Sequence, residues 1–233
     1  KQGTGTLTLT GNNSYTGATN VNAGTLALGA ANRIGNASAV TVATGATFDL
    51  AGFAETVGSI SGAGDITLGA GTLTAGNATN TTFSGAISGA GGLTKAGTGT
   101  LELSGANTYS GLTTVSAGTL MASNASALGA TTNGTTVTAG ATLAINNVAI
   151  GAEAVTLNGT GVGGAGAVDR DHPEDHEAQR DHLDRQHGTL LVERRGRWAR
   201  RRGTHTMILG TSVLMGRQVV RPAESQYRGV RTR

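Results

Sequence analysis

Cysteine is absent from this chain, proline occurs twice, and aromatic side chains make up only 3% of its 233 residues. Without cysteine there is no disulfide framework, no thiolate metal site and no thiol nucleophile. With so few aromatics, the chain cannot build the usual globular core, which draws much of its buried area from Phe, Tyr and Trp. No apolar run approaches the roughly 18 residues that a membrane helix needs, so no transmembrane segment is expected in this chain. The opening Lys1-Gln2-Gly3 does not begin a charged-then-apolar leader, and the sequence is expected to be an internal piece of a longer protein.

Charge is scarce too, and it is unevenly placed. Residues 1–168 hold three basic side chains (Lys1, Arg33, Lys95) and five acidic ones (Asp49, Glu55, Asp65, Glu102, Glu153). The remaining 65 residues hold 14 basic and 9 acidic side chains, all five histidines, the single Trp and both prolines. The net charge of +3 therefore describes the tail and says little about the body. Two domains are expected: 1–168 as a repetitive body and 169–233 as a basic tail.

What is abundant is glycine, with 39 residues, and it comes in a pattern. Residues 3–28, GTGTLTLTGNNSYTGATNVNAGTLAL, recur as residues 97–122, GTGTLELSGANTYSGLTTVSAGTLMA. Every odd position from Gly3 to Thr25 is identical to its partner 94 residues later, whereas every even position from Thr8 to Asn22 differs. A period of two is the side-chain period of a strand, with one face constrained and the other free. The odd residues, among them Leu7, Leu9, Asn13, Tyr15, Thr19 and Val21, are thus expected to point inward, and the even ones to meet solvent. Tyr15 and Tyr109 fall on the inward phase and read as packing residues.

A shorter beat of roughly 19–22 residues runs through the body, opening at Gly3, Gly24, Gly45, Gly97, Gly118 and Gly140. Two or three strands of about five residues with Gly or Asn corners fill one such interval, the length of one solenoid coil. Short strands cannot bury a face alone, but stacked coils give each a neighbour above and below. The fold class is expected to be all-β, a parallel β-helix over 1–168. A sandwich of antiparallel hairpins is the competing arrangement.

These residues carry a resemblance. Gly3–Leu7, Gly11–Gly17 and Gly24–Leu26, repeated at Gly97–Leu101, Gly105–Gly111 and Gly118–Leu120, closely resemble the passenger-associated transport repeat of bacterial autotransporters. The resemblance implies a right-handed β-helix passenger, exported through the outer membrane of a Gram-negative cell and displayed or released outside. It implies a translocation β-barrel as partner, and a role as a stalk or adhesive surface toward a host or neighbouring cell. That barrel is not expected within this sequence, whose end, Val230-Arg231-Thr232-Arg233, does not read as the alternating strands that such a barrel ends with.

From Asp169 the composition changes abruptly. His172 and His176, four apart, would share a helix face with nearby carboxylates, a spacing that suits a metal. Arg194, Arg195, Arg197, Arg200, Arg201 and Arg202 around Trp198 could grip phosphates and stack a base. Both patterns are weak beside a plainly solvated charged stretch, and neither a metal nor nucleic acid is expected as a partner. A third reading is a change of reading frame near Val168: the Asp-His pairs at 171–172, 175–176 and 181–182 become Thr and Ile codons one nucleotide on. That shifted frame meets a stop codon at Met207-Ile208. On any of these readings the tail is expected to pack poorly.

Chemical motifs in the body are sparse. Gly159-Thr160-Gly161-Val162-Gly163-Gly164 formally matches a dinucleotide fingerprint, but the helix that would meet a pyrophosphate is not evident after it. Gly62-Ala63-Gly64-Asp65-Ile66 resembles one turn of a calcium-binding repeat, and such sites need several in tandem. Asn-x-Ser/Thr tripeptides at Asn36, Asn77, Asn124 and Asn158 follow from the abundance of Asn and Thr. The body has no His and no Cys, so a Ser-His-Asp arrangement is missing its base. The remaining enzymatic option is a carbohydrate-active β-helix using Asp49, Glu55 and Asp65 as grouped carboxylates. Against it stands the plainer reading of isolated solvent-facing charges that keep strand edges soluble. No catalytic residue, cofactor site or metal site is assigned, and the expected function is a non-enzymatic surface-display stalk.

Overall fold

The computed structural model describes residues 1–171 and the strand Thr206–Leu209. The body winds as a parallel β-solenoid whose strands stack into three sheets. One sheet stacks Thr6–Leu9, Gly24–Leu28, Ala46–Asp49, Asp65–Thr67 and Ile87–Ser88. A second stacks eight strands from Thr19–Val21 to Val168–Asp171. The third runs from Glu55–Val57 to Glu153–Leu157, and Thr206–Leu209 adds to its last edge as an antiparallel strand. Hairpins of a sandwich would have paired antiparallel, so the parallel registers decide between the two expected arrangements.

Coil length varies more than the expected beat. Residues in register on adjacent coils lie from 18 apart (Asp49 beside Thr67) to 25 apart (Leu143 beside Val168). Extra length is taken up in corners, such as the 3₁₀ turn Val162–Gly164.

The inside is filled by columns of one residue per coil. In the first sheet Leu7, Leu26, Phe48, Ile66 and Ile87 stand in register. In the third, Leu73 and Leu93 are followed by Thr113, Thr135 and Val155. Burial follows the predicted parity in the second repeat as far as Val115: Leu101, Leu103, Asn107, Tyr109, Thr113 and Val115 are buried. Past the Gly118 corner the phase reverses, against the expectation that the odd side stays inward: Leu120 and Ala122 are buried and Thr119 is half-exposed.

The first repeat departs from this in one respect. Val21 is buried, but Leu7 is 47% exposed and Tyr15 39% exposed, where the alternation predicts burial. Their phase is right, since Leu7 heads the inward column of the first sheet and both side chains line the mouth of the solenoid interior. They are wet because no strand among the described residues pairs with the outer edge of Thr6–Leu9.

The two repeats also sit on different walls. Thr6–Leu9 lies in the first sheet, whereas its counterpart Thr100–Leu103 lies in the second. Likewise Thr19–Val21 is in the second sheet and Thr113–Val115 in the third. An offset of 94 residues is not a whole number of coils of about 20, so the second copy falls one wall short of five full coils.

Candidate functional site

Three sets of polar groups stand out on this scaffold: the outer threonine wall, the Asn–Tyr–Lys fittings of the repeat, and the carboxylates. In each three-residue strand of the third sheet the outer position is the middle one. Thr56, Thr74, Thr94, Thr114 and Thr136 occupy it, and Thr156 of the longer strand Glu153–Leu157 continues the line, giving six successive coils in direct register. All six are half-exposed. Their spacing is that of adjacent strands, about 4.8 Å, so the wall is a straight rank of hydroxyls without a charge in it.

The fittings recur in both repeats with the same partners. Tyr109 Oη and Thr113 Oγ1 are 2.6 Å apart, and Tyr15 Oη and Thr19 Oγ1 are 2.8 Å apart. Burial raises the Tyr109 phenol well above its ordinary range, with the nearby Glu153 adding to the rise and the Thr113 hydrogen bond opposing it. Asn107 Nδ2 donates to Ala127 O on the next coil at 2.6 Å, and Asn13 Nδ2 donates to Arg33 O at 2.9 Å. Lys95 Nζ donates to Ala96 O, Gly97 O and Ala117 O at 2.6, 2.9 and 3.1 Å. Lys1 Nζ does the same to Gln2 O, Gly3 O and Ala23 O. Lys95 is buried in the apolar column between Ala75 and Val115, and burial lowers its ammonium to about 8. Nothing in the composition singled out this lysine, but its parity did: it lies two residues after the inward Leu93.

The carboxylates do not act together. Asp49 lies on the outer face of the first sheet, where its Oδ1 accepts from Ala51 N at 2.8 Å and Thr67 Oγ1 at 2.7 Å. Asp65 is exposed one strand on, and its Oδ1 accepts from Ala86 N at 3.3 Å. Glu55 belongs to the third sheet and points inward, accepting from Arg33 N at 2.8 Å and Ile34 N at 3.0 Å. Two of the five are thus not the solvent-facing charges expected from sequence: Glu55 and Glu153 are both buried. Each shares the parity of an inward valine, Val57 or Val155, and each compensates burial with hydrogen bonds. Desolvation raises the pKa of Glu55, opposed chiefly by the Arg33 and Ile34 amides. Desolvation likewise raises that of Glu153, opposed by the Thr135 hydroxyl, whose Oγ1 donates to Oε1 at 2.8 Å.

Gly159–Gly164 folds into an isolated bridge and the 3₁₀ turn, then enters the strand Val168–Asp171. Asp65 serves as a corner acceptor. Among the described residues no group of three or more His, Asp or Glu gathers in a way that could hold a metal ion. The tail residues His172, His176, Trp198 and the surrounding arginines lie outside the described residues.

Residues 1–28 and 93–122 match the passenger-associated transport repeat family. These are the same two copies that carry the Asn–Tyr–Lys fittings, so the family pattern and the hydrogen-bond pattern coincide. The chain is also 49% identical over 63 residues to the adhesin BmaC autotransporter of Brucella suis biovar 1 (strain 1330). That alignment covers 27% of this chain and 2% of the adhesin. No solved structure matches the chain.

Proposed function

We propose that this autotransporter passenger segment is a display stalk, worn on the outside of a Gram-negative cell and adhesive along its walls. Its mechanism is mechanical. Eight strands of the second sheet span seven intervals, or about 34 Å at the usual strand spacing; each coil is tied to the next by ladders, and at the two repeats by the Asn and Lys fittings as well. A rod of this kind holds whatever it carries at a fixed distance from the membrane. The outer threonine rank supports an adhesive reading, since an unbroken line of hydroxyls can meet a polar surface at many weak points. The adhesin similarity supports the same reading, although it touches only a small part of that protein.

The observation that carries this function is the pair of transport repeats built into the coil-to-coil ties. We read the segment as non-enzymatic because Asp49, Glu55 and Asp65 each serve backbone or neighbouring side-chain donors, and Glu55 is turned into the core. The translocation β-barrel is its expected partner for export, and a host or neighbouring cell its expected contact. The test is display. The chain would be placed between an export signal and an outer-membrane translocator in a Gram-negative host. Cells carrying it should expose it to added protease and bind a mammalian cell monolayer above the translocator-only control. Material locked in the periplasm would contradict the display reading, and surface exposure without adhesion would limit the segment to a spacer.

A further inference from the structure

Two tripeptides of identical sequence, Asn133-Gly134-Thr135 and Asn158-Gly159-Thr160, sit at opposite ends of strands in the third sheet. The first leads into the strand Thr135–Val137, and the second leaves the strand Glu153–Leu157. They contain the only two Asn-Gly pairs in the sequence. An asparagine followed by glycine carries its own chemistry. With no Cβ beside it, the glycine nitrogen can swing toward the side-chain carbonyl carbon of the residue before. In both copies the glycine N–H makes no backbone hydrogen bond among the described residues, so neither nitrogen is held in a ladder.

Place in the fold separates them. Gly134 is buried; its carbonyl accepts Thr113 N at 3.1 Å, and a Cβ on it would come within 2.4 Å of Ala154 O. It is wedged between two coils. Asn133 is held as well, since its Nδ2 donates to Ser110 O, which also accepts from Thr132 Oγ1. Asn158 and Gly159, by contrast, are both exposed. Gly159 leans on Ala139 of the coil before, but neither its N–H nor its carbonyl enters a backbone hydrogen bond. The corner that follows is rich in glycine, and Gly159, Gly161, Gly163 and Gly164 all have positive φ, so rotation there meets few β-carbons. The Asn158 side chain is tied by Nδ2 to Val137 O at a long 3.3 Å, beside the bond that its own N–H makes to the same carbonyl at 2.9 Å.

We propose that Asn158 is a self-modifying site, where the chain converts its own side-chain amide to a carboxylate with water as the sole co-reactant, while the fold protects Asn133. The Gly159 nitrogen attacks Asn158 Cγ; the Cγ–N bond forms, the Cγ–Nδ2 bond breaks, and Nδ2 leaves as ammonia with the proton that the glycine nitrogen gives up. A closed imide remains. Water then opens it on either side. Addition at Cγ breaks the new Cγ–N bond and leaves aspartate; addition at the Asn158 main-chain carbonyl breaks the original peptide bond and leaves isoaspartate, with the chain routed through Cγ. In both cases the sum is asparagine plus water giving a carboxylic acid plus ammonia. Either product loses the donor to Val137 O, and it places a negative charge two residues beyond Thr156, at the end of a threonine rank that holds none. The inference stands on the corner geometry and is independent of display or adhesion.

The test compares the two tripeptides within one molecule. The full chain is held folded in mildly alkaline buffer made with heavy-oxygen water and digested at intervals, and the peptides carrying Asn133 and Asn158 are followed by mass spectrometry. Labelled carboxylate should accumulate at Asn158 roughly tenfold faster than at Asn133 or more, the kind of margin that separates an exposed corner from backbone held in a cooperative core. In urea, where the fold is gone, the two rates should converge. Asn158→Gln should leave that position unmodified over the same period without changing the rate at Asn133. Equal rates in the folded chain would overturn the proposal. So would an advantage for Asn158 that persists in urea, because the flanking sequence and not the fold would then set the reactivity.

Discussion

Leu101 and Glu102 are neighbours with opposite fates, and they measure the alternation one residue at a time. Leu101 is buried in register with Leu120, so Leu101→Asp should cost more than about 3 kcal/mol by leaving a carboxylate unpaired inside. Glu102 stands on the outer face and accepts from Thr82 Oγ1 and Ser123 Oγ at 3.0 and 2.7 Å. Glu102→Thr removes hydrogen bonds that water replaces and should cost less than about 1 kcal/mol. Chemical denaturation of both variants checks the contrast. Glu153 gives a pH test. Its folded pKa is raised by burial, so above the ordinary carboxylate pKa the unfolded chain gives up its proton first, and the Glu153 contribution to stability is lost as pH rises. Glu153→Gln should therefore match the parent near pH 4 and be the more stable of the two at pH 7. Lys95 works in the other direction at higher pH: between about 8 and 10.5 the unfolded chain holds the proton that the folded one has released, so stability rises across that window. Parity in the sequence already held this information. Glu55, Lys95 and Glu153 each sit two residues from an inward aliphatic side chain, but a charged type read by itself suggests solvent, and only the column shows the partners that offset burial.

At the scale of the coil, glycine at the corner is what lets one turn pass close over the next. Gly118 has φ +62°, and a Cβ there would come within 2.5 Å of Gly99 O. Its counterpart Gly24 has φ +64° and would meet Gly5 O at the same distance. Gly118→Ala combines an unfavourable backbone region with a backbone clash and should cost about 2 to 3 kcal/mol. Gly140 shares the positive φ at +81° but has open space around it, so Gly140→Ala should cost only about 1 kcal/mol. Thermal melting of the two variants separates strain from crowding. The existence of coils, their approximate length and the inward phase were legible from Gly3–Thr25 and its second copy. Which wall each repeat occupies was not, because that depends on the summed length of all corners between them. A turn such as Val162–Gly164 changes coil length without altering any strand. Exposure at Leu7 and Tyr15 was equally hidden, since parity tells direction and is silent on whether a neighbouring coil is present.

The described body is a stack of coils with three walls, and the display function proposed for it rests on that stacking; the resemblance of Gly3–Leu26 to transport repeats points the same way. The site itself was less legible. An outer rank of threonines from Thr56 to Thr156 arises only when six short strands, with intervening corners of different length, come into register. Because the chain has no cysteine, that register can be measured cleanly with pairs of introduced spin labels. Labels at Thr56 and Thr136 lie four rungs apart and labels at Thr56 and Thr156 five rungs apart. Double electron–electron resonance should give backbone separations of about 19 and 24 Å respectively, a step of one strand spacing. Two distances that fail to differ by that step, or that fit strands folded back on one another, would contradict the stacked-coil account.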